Sequence, residues 1–310
     1  MATVTAGGKP SASRRRPDRG RRREVAAGYL FAAPFLLLFL VFTIGPVLAS
    51  FFMSFTDLKA RDIRNPFAIE LVGLDNYAQL LDDETFRKTV VNTAYFVGVG
   101  LPLTMGIALA VAVGLNSGIT RFRTLFRTGY YLPVVTSIVA ISVVWRFLLE
   151  PDSGIVNTLL GYVGIDGPSW LNTTATAMPS LIAMATWRNL GSLVVIFLAG
   201  LQLVPKEMHE AASIDGAGAW NRFRHITLPM MRPTILFAGV VTMIGYLQFF
   251  EEPLIMTQGG PLDSTLSTAY YTYNQFGFGN YSYAAAMAYV LFLVVALATA
   301  LLFKLLGSKD

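Results

Sequence analysis

Six stretches of this 310-residue chain are almost free of charge and rich in large apolar residues. They lie at about 28–52, 89–115, 128–148, 178–204, 230–251 and 283–304. Each is close to the ~20 residues that a helix needs to cross the hydrocarbon core of a bilayer. The first has no charge at all, the fourth carries only Arg188, and the last reads AAAMAYVLFLVVALATALLF before Lys304. Pro34, Gly45-Pro46, Pro102 and Pro133 interrupt these runs. In a membrane helix such residues are tolerated, because neighbouring groups satisfy the backbone atoms they free. The pattern predicts an all-α polytopic membrane protein with six transmembrane helices. It places a transmembrane domain at 28–306 between a tail at 1–27 and a short tail at 307–310.

Composition agrees. Apolar residues make up 54% and charged residues 14%, against about 25% charged in a soluble domain. A soluble enzyme, a disordered protein and a fibrous protein are excluded. The absence of cysteine excludes disulfides and thiolate chemistry, and two histidines leave little for a metal or acid–base centre. The net charge of +5 comes largely from eight cationic residues in the first 23 positions. No aromatic residue interleaves those arginines, so nucleic-acid binding is not expected. A basic tail beside a first span instead attracts anionic lipid and fixes orientation. A cleavable signal peptide is disfavoured: the apolar run is too long and no A-x-A site follows. Seventeen cationic residues fall in the N-terminal tail, in 116–127, in 205–232 and near the C-terminus, and five fall in 53–88 among seven acids. Loops 149–177 and 251–282 carry only acids. The positive-inside rule then puts both termini in the cytoplasm.

The segment between the fourth and fifth runs, PKEMHEAASIDGAGAWNRFRHITLPMMRP at 205–233, has a different character. Pro205 and Glu207 suit a helix start. Asp215-Gly216-Ala217-Gly218 is a turn signal. A second short helix is expected over 219–227, and Pro229 and Pro233 open the next span. Two readings stand on the residues alone. One is an amphipathic helix pair lying in the membrane interface. The other is a docking element, in which small Ala211 and Ala212 admit a partner's backbone and Met208, Ile214, Trp220 and Phe223 offer apolar contact.

This segment resembles the EAA loop of the membrane subunits of ABC importers. Its pattern, E-A-A, three residues, G, nine residues, I-x-L-P, is matched at Glu210, Ala211, Ala212, Gly216, Ile226, Leu228 and Pro229. The stretches NTAYF, LPVV, WRNLG, FLAGLQLVP and TQGGP are similar to the sugar-permease branch of that family, so the resemblance extends over roughly 28–306. It implies a type I ABC importer permease fold with cytoplasmic coupling helices in loop 205–229. Glu210, Ala211, Ala212, Asp215, Gly216 and Arg222 would face the ATPase. The implied partners are a second homologous permease, an ATPase homodimer, an extracytoplasmic substrate-binding lipoprotein and a carbohydrate substrate. The implied location is the bacterial plasma (inner) membrane. No G-x-x-x-x-G-K-[ST] loop occurs, so this chain is not an enzyme and binds no cofactor of its own. ATP and Mg would sit on the separate ATPase.

A sugar path needs hydroxyl partners and stacking faces inside the bilayer, where polar groups are costly and mark function. The fourth span offers Trp187, Arg188 and Asn189; the fifth offers Thr242, Tyr246, Gln248, Phe249 and Glu251. For Arg188 two readings remain open, a substrate contact or a structural ion pair with Glu251 or Glu252. The asparagines that maltose-type permeases use in the fifth span are replaced here by Tyr246 and Phe249. Loops 53–88 and 253–283, the latter rich in tyrosine, are the expected docking faces for the binding protein. An ion-gradient-driven secondary transporter is the alternative, disfavoured by six spans without repeated halves. An intramembrane enzyme lacks a catalytic constellation.

Overall fold

The structure is a computed structural model that describes residues 19–64, 69–116 and 123–307. Most of the basic tail, part of the 116–127 loop and the last three residues, all expected at the cytoplasmic face, lie outside the described residues. The described residues fall into two compact units, divided after Phe52. In the first, α1 (Arg19–Phe39) passes through a π-turn at Leu40–Ile44 into α2 (Gly45–Met53). Pro46 has no N–H and its ring crowds the carbonyl four residues back. The ladder shifts register just before it, and the Gly45 N–H reaches the Leu40 carbonyl.

The second unit is helical, with no β-strand among the described residues and one isolated bridge between Thr56 and Leu71. It runs α3 (Asp75–Asp82), α4 (Glu84–Asn116), α5 (Arg123–Val135), α6 (Ile138–Leu148), α7 (Ile155–Tyr162), α8 (Thr174–Gln202), α9 (Lys206–Ile214), α10 (Ala219–Arg222), α11 (Leu228–Met230), α12 (Arg232–Leu247), α13 (Glu251–Met256), α14 (Thr268–Gly277) and α15 (Tyr281–Leu306). Four helices are long and apolar enough to cross a membrane: Ala27–Met53, Glu84–Asn116, Thr174–Gln202 and Tyr281–Leu306. The third and fifth predicted spans are not straight. Gly129–Val135 and Ile138–Leu148 meet at 114°, and Ala219–Met230 and Arg232–Leu247 meet at 67°. Pro233 fits the second bend, since it cannot donate to the carbonyl four residues back; at the first, α5 continues two residues past Pro133 before the break at 136–137. Hydropathy alone does not register such bends.

The core lies where α8 packs against α4, with α5 and α12 beside them. Small residues permit close approach. At Gly191 a Cβ would fall 2.0 Å from the Tyr130 carbonyl oxygen. Buried threonines tie the helices together. Thr104 Oγ1 lies 2.9 Å from Thr186 Oγ1, and Thr93 Oγ1 lies 3.2 Å from Thr268 Oγ1. At one end Asp83 joins the α3–α4 junction to α14 and α15. It accepts hydrogen bonds from Tyr271 (2.8 Å), Tyr283 (2.7 Å) and the Phe86 amide (3.0 Å). Burial pushes the Asp83 carboxyl up, but those bonds outweigh it and hold it below the ordinary value. Burial and the Asp83 carboxylate push Tyr271 up to about 12.

Two predictions follow from this packing. Gly191→Ala should cost ~1–3 kcal/mol by overpacking and lower the thermal midpoint of the purified protein in detergent. Gly98→Ala, where a Cβ meets nothing within 4 Å, is the control, and equal midpoints would contradict the close approach. Asp83 has a depressed pKa, so its contribution is present above its unfolded value of about 4 and lost as pH falls through the folded one. Tyr271 contributes below its ordinary value and loses that contribution as pH rises through about 12. Asp83→Asn should lower the midpoint at pH 7 by the equivalent of ~1–2 kcal/mol and flatten its decline between about pH 5 and 3. An unaltered acid limb would sink the assignment.

Candidate functional site

A cavity of about 450 Å³ lies between α8 and α12. From α8 it is lined by Arg188, Asn189 and Ser192, which share one helical face. From α12 come Thr242, Gly245 and Tyr246, and from the chain beyond it Gln248, Phe249, Glu251 and Glu252. The fifth predicted span ran to 251, but α12 stops at Leu247. Pro253 stands in the first turn of α13, where its missing N–H is tolerated. The Phe249 carbonyl, four residues before it, accepts a 2.6 Å hydrogen bond from the Ser267 hydroxyl. The non-helical residues 248–250 cap the cavity and bring the two glutamates to its wall.

Seven of the eight residues expected on the substrate path line this cavity: Arg188, Asn189, Thr242, Tyr246, Gln248, Phe249 and Glu251. Trp187 does not. It is 43% exposed on another face of α8, with its ring 5.9 Å from that of Trp145. The polar cavity face of α8 runs from Arg188 through Ser192 to Asn189, an arc of about 100°, and Trp187 lies about another 100° beyond its edge. Several lining groups already have protein partners. The Tyr246 hydroxyl is 2.7 Å from Thr104 Oγ1, linking α12 to α4. Phe249 is buried and stacks face to face on Phe96 at 3.9 Å. Thr242 donates to the Ala238 carbonyl of its own helix, and Asn189 Nδ2 donates to Ala185.

Arg188 is different. No carboxylate lies within 4.0 Å of its guanidinium among the described residues, so the ion pair with Glu251 or Glu252 considered from the sequence is not formed. Its Nε is buried without a partner, and so is Oε2 of Glu252. Glu252 is buried, whereas the neighbouring Glu251 is exposed. As cavity residues, Ser192 and Glu252 were missed in the sequence. Ser192 was legible as the i+4 neighbour of Arg188. Glu252 needed the helix end at Leu247 to be known. A larger groove of about 610 Å³, lined by Tyr131, Leu132, Val135, Val195, Leu198, Ala199 and Gln202, is nearly all apolar and offers few partners to a polar solute.

The 205–229 segment folds into α9 and, after a turn, α10. Gly216 takes φ +79°, and its N–H bonds the Ser213 carbonyl at 3.1 Å, while the Ala217 N–H bonds that of Ala212 at 2.8 Å. These paired bonds form a Schellman cap, which favours glycine at the left-handed position. After α10 the helix does not end at Thr227 but continues through a π-turn at Phe223–Thr227 into α11. Pro229 stands two residues past that π-turn, as Pro46 stands past the first. Glu210, Ala211, Asp215 and Gly216 are exposed; Ala212 and Arg222 are half-buried. Ile214 and Trp220 add exposed apolar surface beside them.

Long apolar helices around a polar cavity, with a helix–turn–helix inserted between the two helices that wall it, define a helical membrane permease. Residues 100–309 match the family of binding-protein-dependent transport system inner membrane components, and the chain belongs to that family. It is 35% identical over 286 residues to the arabinooligosaccharides transport system permease protein AraP of Bacillus subtilis, covering 91% of this chain and 89% of that one. It is 37% identical over 282 residues to the lactose transport system permease protein LacF of Rhizobium radiobacter, covering 89% and 92%. A crystal structure of a bacterial alginate ABC transporter, in complex with an alginate pentasaccharide-bound periplasmic protein, superimposes with a TM-score of 0.80 at 23% identity. That match covers 92% of this chain and 95% of the other, and it is a likeness of fold. These relatives are permease subunits, and like them this chain is a transport component and not an enzyme.

The stacked pair makes a separate prediction. Phe249→Ala should cost ~3–5 kcal/mol as a core truncation and show as a lower thermal midpoint. Trp187→Ala, half-exposed and off the cavity, should move it less. The reverse order would contradict this division of roles.

Proposed function

We propose that this chain is the transmembrane subunit of an ATP-driven, binding-protein-dependent carbohydrate importer in a bacterial plasma membrane. It crosses the bilayer six times, the bent pairs forming the third and fifth spans, with both termini cytoplasmic. The observation that carries this reading is connectivity. The helix before the 205–229 loop, α8, and the helix after it, α12, are the two walls of the polar cavity. A force applied to the loop therefore reaches both walls through short connections, residues 203–205 on one side and the bend at Met231 on the other.

In this account the loop carries the coupling helices and docks in a cleft of a cytoplasmic ATPase homodimer, which binds ATP and Mg. Glu210 and Asp215 meet donors there, Ala211 and Ala212 allow close backbone approach, and Arg222 supplies a cation. Closing of the ATPases draws the loops of this chain and of a second homologous permease together. The helix walls then rock, opening the cavity by turns to each side of the membrane. An extracytoplasmic binding protein delivers the sugar. The substrates named for the relatives above, arabinooligosaccharides and lactose, support a carbohydrate, and family membership gives no support to an ion-gradient-driven carrier.

Pull-down of the tagged chain from its native membrane in mild detergent should recover an ATPase and a second permease. Gly216→Pro cannot adopt the left-handed turn, so it should reduce ATPase recovery at least tenfold while the folded membrane domain survives. Undiminished recovery with that variant would overturn the docking assignment.

A further inference from the structure

The cavity presents two buried atoms of opposite hydrogen-bonding character, and neither has a protein partner. One is the Arg188 Nε–H on α8, a donor; the other is Glu252 Oε2 at the start of α13, an acceptor. Glu252 is 6% exposed. Both residues line the cavity, yet no nitrogen–oxygen distance between them is within 4.0 Å. A structural ion pair in a low-dielectric site gains most from close contact, and this pair stands open across the cavity wall. Leaving either buried group unsatisfied forfeits its full desolvation, so the couple is built for something that enters the gap.

The chemistry of that ligand is narrow. It must accept from an N–H and donate to a carboxylate. A hydroxyl does both. A carboxylate ligand could accept from Arg188 but could not donate to an ionised Glu252, and it would meet the charge of Glu251 as well. The wall carries one cation against two acids, Glu251 and Glu252, so it holds no excess positive charge whichever way Glu252 keeps its proton. Other polar lining groups are partly committed: Thr242 and Asn189 each donate to their own helix, and the Tyr246 hydroxyl pairs with Thr104.

We propose that Arg188 and Glu252 form a donor–acceptor couple that grips hydroxyls of an uncharged carbohydrate during passage and disfavours carboxylated sugars. This rests on the importer reading above, and it makes Glu252 a specificity-determining residue of the path.

The test uses the complete transporter, with its ATPase, partner permease and binding protein, in proteoliposomes. The probes are arabinotriose, lactose and trehalose as neutral sugars and trigalacturonate as the carboxylated one. The wild type should import at least one neutral probe and not trigalacturonate. Arg188→Gln and Glu252→Ala should each lower subsaturating uptake of that probe at least tenfold without lowering the thermal midpoint. Glu252→Gln, which keeps an acceptor oxygen, should stay within threefold of the wild type. Trigalacturonate uptake at a comparable rate would overturn the proposal. So would single variants that transport normally. Single variants that lose stability regained in the Arg188→Gln, Glu252→Gln double variant would assign a structural pair instead. Failure of the wild type to import any probe would count against the carbohydrate-importer reading itself, an outcome distinct from the others.

Discussion

A helix inside a bilayer has no water to satisfy a backbone group that its own ladder leaves free. That constraint organises this molecule, because each break in a helical ladder is met by a shift of register or by another partner. Before Pro46 and Pro229 the ladder shifts to π register and continues. Near Pro133 and Pro233 the chain turns sharply. Ahead of Pro253 the helix stops, and the freed Phe249 carbonyl finds the Ser267 hydroxyl. The last of these makes the cavity, since it ends α12 at Leu247 and carries Glu251 and Glu252 to the wall. Had α12 continued to residue 251, as apolar character alone suggested, those acids would have followed the helical repeat.

The same reasoning shows how much was legible in the sequence. The long helices α4, α8 and α15 stand out because an unbroken apolar run of that length has few other structures in which to satisfy its backbone. The third and fifth spans were seen as apolar runs, but their bends were not, since hydropathy reports burial and not direction. The Asp215–Gly218 turn was legible for a physical reason: the cap needs positive φ, and Gly216 supplies it. The continuation of the second loop helix past Thr227 was not, because proline at 229 reads as a boundary unless the π-turn is foreseen.

The site shows a similar division. Arg188 in an apolar run announced itself by cost, and Asn189 and Tyr246 followed from helical proximity. Trp187 was drawn in by adjacency in sequence, but it falls on the side of Arg188 away from Ser192 and Asn189. Glu252 was hidden because its burial is tertiary: Pro253 and the 248–250 turn place it, and no local pattern distinguishes it from the exposed Glu251. The polar character of the cavity depends on what is left unpaired more than on which residues are present. Thr242 spends its hydroxyl on its own helix and Tyr246 on a neighbouring one, while the Arg188 Nε and Glu252 Oε2 are left without protein partners.

The central claim is that movement of the 205–229 loop is transmitted to the cavity through α8 and α12. The chain contains no cysteine, so two introduced cysteines can carry spin labels at Ser192 and Val241, one on each wall. The most direct measurement is the distance between these labels by pulsed electron paramagnetic resonance, in the complete transporter with and without trapped ATP. The account predicts a distance distribution that shifts when ATP is trapped and stays at its resting value when Gly216 is replaced by proline. A distribution indifferent to trapped ATP in the otherwise unaltered transporter would contradict it.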